Sequence, residues 1–136
     1  MIELSEAARI TAGVVLLTVV GIESGGAFML KVVTGKVPTT DFQKSFFRAG
    51  HAHAGVLVTL GLLCLVLSEA TGLHGFPRWL AGTGVLIAAI LLPGGFFFSA
   101  IGAGRTAPNR WAILFPLGGL ALAAGVVTLA VGLFTA

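Results

Sequence analysis

Charge is what this sequence has least of. Only 10% of its 136 residues are Asp, Glu, Lys or Arg, against roughly 25% in an average soluble domain. So few charges cannot cover the water-facing surface of a folded chain of this size. A soluble globular domain is therefore excluded. The chain has no tyrosine and a single cysteine, Cys64. One thiol excludes an intramolecular disulfide. No basic stripe with interleaved aromatics exists, so nucleic acid is not an expected partner despite the net charge of +3. A positively charged leader is also missing. Glu3 and Glu6 precede the first apolar run, which argues against a cleaved signal peptide.

What is abundant is apolar. Hydrophobic residues make up 57% of the chain, with 20 glycines among the rest, and the mean hydropathy is +1.05. Glycine is costly in soluble helices, but in membranes it lets helix backbones approach closely. A bilayer core needs about 20 apolar residues per helix. Four stretches qualify, and with their flanking turns they predict helices over about 8–33, 41–69, 79–102 and 111–134. Their hydrophobicity is continuous rather than alternating, which excludes a β-barrel. Thr40-Asp41-Phe42-Gln43 reads as a capping box that starts the second helix. Short loops join antiparallel neighbours. The expected fold is all-α: one transmembrane domain over 1–136, an up-down four-helix bundle in the lipid bilayer.

Lys31, Lys36, Lys44, Arg48, Arg105 and Arg110 flank the first and third loops, while Arg9 and Arg78 lie on the other side. The positive-inside rule then predicts a plasma (inner) membrane protein with both termini outside.

In so apolar a chain, polar groups inside the spans carry the information, because each costs roughly 2.5–3.5 kcal/mol on insertion scales. Glu23 lies within Gly21-Ile22-Glu23-Ser24-Gly25-Gly26. It reads as a proton carrier, an acid or base, or the partner of a histidine. Its structural alternative is a protonated acid bonding across helices. Gly21 and Gly25 form a small-xxx-small pair suited to close packing. His51 and His53 lie two residues apart, so on a helix they point about 200° from each other and cannot share one metal ion side by side. Ala and Gly surround both, leaving open space for a large planar ligand such as haem, and imidazole is a common axial ligand of its iron. Either could equally bond a neighbouring helix. Arg105, Asn109 and Arg110 lie at the same membrane face and suit haem propionates, or they anchor the chain at the headgroups. Phe96, Phe97 and Phe98 could line an apolar pocket. Cys64, about 16 Å beyond His53 along the helix, reads as a packing residue.

The run Phe47-Arg48-Ala49-Gly50-His51-Ala52-His53-Ala54-Gly55 resembles the Arg-Ala-His-Ser-Gly run of bacterial styrene oxide isomerases. It is similar too to the Ala-His-Leu-Glu-Gly run of hydroxylaminobenzene mutases. Gly95-Phe96-Phe97 and Ala107-Pro108-Asn109-Arg110 resemble the corresponding isomerase segments. The resemblance implies a small four-helix membrane protein that binds haem b, assembles as a homo-oligomer, there a trimer, and rearranges a small apolar epoxide or hydroxylamine by Lewis-acid chemistry. It implies His53 as the metal ligand, with His51 as a gate, a supporting partner or the ligand itself. Arg48, Asn109 and Arg110 would contact the propionates, and Glu23, Thr59, Phe96 and Phe97 would line the reaction site. Two positions depart from the pattern: Thr59 stands where the isomerase has asparagine, and Phe97 about where it has tyrosine. A non-enzymatic haem carrier, sensor or electron-transfer protein stays open, as does a small proton-coupled transporter or assembly subunit.

Overall fold

A computed structural model describes residues 3–136. Four helices run in order: α1 Glu6–Val33, α2 Asp41–Ser68, α3 Gly75–Ser99 and α4 Leu114–Phe134, the last preceded by a 3₁₀ turn at Arg110–Ile113. No strand occurs among the described residues. All four helical segments are long and apolar enough to cross a membrane.

Local chemistry sets the helix ends. Ser5 caps α1 by accepting from Ala8 N, and Thr40 caps α2 in the expected reciprocal box with Gln43. The third helix differs from its predicted range of 79–102. It begins at Gly75, because Pro77 sits in the first turn, where its missing N–H is not needed. It ends at Ser99, before Gly102, whose φ of +123° leaves the helical region. Helix four was expected to begin at 111. Asn109 caps that end by accepting from Trp111 N at 2.8 Å, which winds the first turn as 3₁₀.

The bundle is built around α3, which packs on α2 and on α4. Ala81, Val85 and Ala89 meet Leu57, Val58, Cys64 and Leu129 in the main core. Small residues make these contacts close, and Gly84 of α3 lies directly against Gly125 of α4. By contrast α1 packs chiefly on α2. Only Ala8, Met29 and Val32 of its 28 residues are buried.

Both ends of α1 are tied down. At one end Met29 and Val32 join Phe47 and Ala100 in a second apolar cluster. At the other end Glu69 accepts from Ser5 N at 3.2 Å and Ser5 Oγ at 3.0 Å, and it pairs with Arg78. Burial would raise the Glu69 pKa, but these donors outweigh it and hold the carboxyl below the ordinary carboxylate value. The folded state thus binds its proton less readily than the unfolded chain does. The clasp contributes fully above the unfolded pKa of about 4.3 and is lost as pH falls through the lower folded value. The thermal midpoint in detergent should drop on acidification through that window, and Glu69→Gln should be destabilised at neutral pH with a flatter acid limb. The cost should be about 1.5–3 kcal/mol, toward the low end because Arg78 is 34% exposed.

A third tie links α2 to the loop after α3. Buried Gln43 donates to Ala100 O at 2.9 Å and Gly102 O at 2.7 Å, while its Oε1 accepts from Thr40 N. Gln43→Ala leaves those two carbonyls without their donor and should cost about 1–3 kcal/mol in the same melting experiment.

Candidate functional site

Between the two ties of α1, a groove of about 910 Å³ lies beside α1 and α2, bounded by Ile22 of α1 and by His51, Ala52, Gly55, Val56, Thr59, Leu60 and Leu63 of α2. Its volume lies in the range of small-molecule sites. The twelve residue steps of α2 from His51 to Leu63 give it a length of about 18 Å at 1.5 Å per residue. The lining is apolar apart from His51 and Thr59, and the Thr59 hydroxyl already donates to Gly55 O at 2.9 Å.

His51 forms the end of this groove. Its ring packs on Gly25 and Gly26: a Cβ at either glycine would come within 3.4–3.5 Å of the imidazole. Of the expected small-xxx-small pair, Gly25 therefore receives an imidazole rather than a helix backbone, and nothing lies within 4 Å of a Cβ at Gly21.

His53 lies on the opposite flank of α2, as the two-residue spacing requires. It is exposed, and its ring centroid is 4.9 Å from that of Phe96 on α3. Phe96 in turn packs edge-on to Phe115 at 4.7 Å. His53 Nδ1 is 2.7 Å from Ala49 O. A carbonyl can only accept, so Nδ1 donates, and Nε2 is the ring nitrogen left without a partner in the fold. The same bond fixes the orientation of metal-ligating histidines.

The remaining expected residues divide. Arg48 is exposed near the start of the α2 span, about one turn from Ala52, with Asp41, Lys44 and Ser45 beside it. Arg110 is exposed in the 3₁₀ turn. Asn109 has structural work: besides capping that turn, it donates to Phe98 O at 2.9 Å. Arg105 folds onto its own loop, donating to Ile101 O and Ala107 O. Phe96 and Phe97 were both expected to line the pocket at His53, and Phe96 does lie beside it, but Phe97 does not. It instead stacks on Phe47, centroids 5.8 Å apart, in the cluster under α1. Adjacent helical positions point about 100° apart, so Phe96 takes the place beside His53. Glu23 and Ser24 are exposed on α1, and Thr59 lies on the groove side of α2.

No family model, curated protein or solved structure matches this chain. The site therefore rests on its own chemistry. Among the described residues no three His, Cys, Asp or Glu side chains converge as a metal-binding group. Phe115 and the Glu69–Arg78 pair are absent from the sequence-based candidates. Phe115 carries no signal distinguishing it from other apolar residues of α4. The Glu69–Arg78 spacing spans a loop, which no helical periodicity reports.

Proposed function

We propose that this chain is a multi-pass plasma-membrane protein that holds haem b through His53 and acts on a small apolar substrate reaching it from the lipid. One observation carries the reading: the hydrogen bond to Ala49 O engages Nδ1 and orients the exposed His53 ring, so Nε2 is the nitrogen free to bind a ligand. A lone imidazole is too few ligands for a bare metal ion. It suffices for an iron that brings four in-plane nitrogens of its own. Arg48 and Arg110 are the exposed cations suited to propionates. Phe96 and Phe115 would give the group an apolar wall.

Bound there, haem would supply an electrophilic iron for a rearrangement without net redox change, as the isomerase resemblance implies. The chain's own part is to orient His53 and to keep water out with Phe96 and Phe115. A planar group at His53 lies on the outer face of the bundle, so covering it calls for a homo-oligomer. The bias of Lys and Arg toward the first and third loops favours termini on the outside.

The test is the absorption spectrum of the full chain, purified in detergent from cells supplied with haem. A Soret band co-eluting with the protein is expected. A colourless but fully helical protein would sink the proposal. Turnover of arene epoxides or aryl hydroxylamines would extend it to an isomerase. A coloured protein without turnover would leave a carrier, sensor or electron-transfer protein. Exposed Glu23 at mid-span favours a second reading, proton-coupled transport. Flux in liposomes that vanishes with Glu23→Gln would support it.

A further inference from the structure

The groove beside α1 and α2 does not stand alone. A second recess of about 470 Å³ adjoins its His51 end, lined by Asp41, Lys44, Ser45, Arg48, Ala49 and Ala52. Ala52 belongs to both. The two recesses differ in kind. The first is apolar along its length, and its hydroxyl, on Thr59, is already bonded to Gly55 O. The second sets two cations, Lys44 and Arg48, against one carboxylate, Asp41.

Helix geometry joins them. Lys44, Arg48, Ala52, Gly55 and Thr59 follow one another at steps of three or four residues, so at 100° per residue they keep within about 80° of one face of α2. Arg48 is about 140° round the helix from His53 and belongs to this face. The apolar part is about 18 Å long, and one leaflet supplies about half of a hydrocarbon core roughly 30 Å thick. A chain laid down from the cationic end therefore reaches the middle of the bilayer. That end lies at the membrane face that carries the basic first and third loops, where long cationic side chains extend to the headgroups. His51 stands about 4.5 Å deeper than Arg48 along the helix axis. Ester carbonyls follow a lipid's phosphate at such a depth, and an imidazole N–H can donate to them.

We propose that this face of α2 is a site for one anionic glycerophospholipid. Its phosphate lies on Lys44 and Arg48, and one acyl chain runs along Ala52, Gly55 and Thr59 beside Ile22 of α1. Charge complementarity selects the headgroup: a zwitterionic lipid brings its own ammonium to a recess that already holds more positive than negative charge. The small side chains of Ala52 and Gly55 give the acyl chain room. With Arg48 on the lipid, Arg110 is the cation left for a propionate at His53.

The test is native mass spectrometry of the full chain, released from detergent micelles doped equally with dioleoyl-phosphatidylglycerol and dioleoyl-phosphatidylethanolamine. A one-to-one complex enriched in the phosphatidylglycerol is expected. Lys44→Gln and Arg48→Gln should each cut that complex about fivefold, the factor that one cation carries at an anionic membrane surface. Gly55→Leu should cut it at least as far. Nothing lies within 4 Å of a Cβ at Gly55, so the larger side chain enters the acyl chain's path without a clash. Leucine also favours a helix over glycine. The variant should therefore melt no lower than the parent in lipid-free detergent, which separates loss of lipid from loss of fold. Ala52→Leu, at an exposed position of the same face, repeats the block. Equal retention of the two lipids would overturn the proposal, as would phosphatidylglycerol binding unchanged in both Gly55→Leu and Ala52→Leu. A Gly55→Leu protein that keeps its lipid but drops in oligomer mass would give the groove to a second copy, again overturning it. The readout needs no haem: a colourless protein leaves this proposal standing, and a coloured one without lipid preference leaves only the haem.

Discussion

Gly84→Val is expected to separate α3 from α4 and to cost about 3 kcal/mol or more. A Cβ at position 84 would lie 2.7 Å from Gly125 Cα, 3.0 Å from Ala121 O and 3.2 Å from Gly125 N. All three are backbone atoms of α4, so no rotamer change relieves the clash. Overpacking a well-packed interior costs typically 1–3 kcal/mol where side chains can adjust. Here whole helices must move. The core around Val85 and Leu129 is adjacent to this crossing and would loosen with it. Lipid offers no hydrophobic penalty for the parting, because its tails are as apolar as leucine. Close packing is thus what holds this pair, and at this crossing backbone meets backbone. Thermal unfolding in detergent, followed by helicity and by elution volume, measures the effect. Gly13→Ala and Gly119→Ala are controls, since nothing lies within 4 Å of a Cβ at either; both should melt near the parent protein. A Gly84→Val protein as stable as those controls would mean that α3 and α4 do not cross there.

The same crossing shows where sequence reasoning stops. Continuous apolar runs declare four spans because lipid demands them. Thr40 and Gln43 declare a helix start because a capping box is local. Gly84 and Gly125 are 41 positions apart, and neither stands out among 20 glycines. Which glycines touch depends on rotations of α3 and α4 that apolar composition does not encode, since lipid-facing and core-facing residues are equally hydrophobic. Gln43 is a related case: its capping role is visible locally, but its bonds to Ala100 and Gly102 appear only once α2 lies against the end of α3. At the site, the opposed directions of His51 and His53 follow from helix geometry alone. The identity of their neighbours does not. Phe96 and Phe97 are adjacent and alike, and only the rotation of α3 decides which one meets His53. Asn109 looked like a ligand contact because it is polar and near a membrane face, yet helix ends need caps, and the cap takes it.

His53→Ala should abolish the haem absorption band while His51→Ala retains it, with little change in stability for the first. The separation of binding from folding is what gives this pair its force. His53 is exposed, and its one hydrogen bond is to Ala49 O within its own helix. Removing an exposed side chain of this kind shifts stability by about 0.5 kcal/mol or less. Ala49 O keeps its role in the helix ladder. Loss of colour in a protein that melts normally would therefore report the ligand and not the scaffold. His51→Ala differs in what it disturbs: it empties the end of the groove beside Gly25 and Gly26 and loosens the seam between α1 and α2. A modest drop in melting temperature with an intact band is expected. His53→Gly supplies a further check, because free imidazole can occupy the vacated position and restore the band if the axial nitrogen is all that was lost. A band that survives His53→Ala and disappears with His51→Ala would move the ligand into the groove, beside Thr59 and Ile22. Loss in both variants would assign the two imidazoles to iron together across copies. A six-coordinate iron has no open position for substrate, so that outcome would turn the reading from rearrangement toward electron transfer.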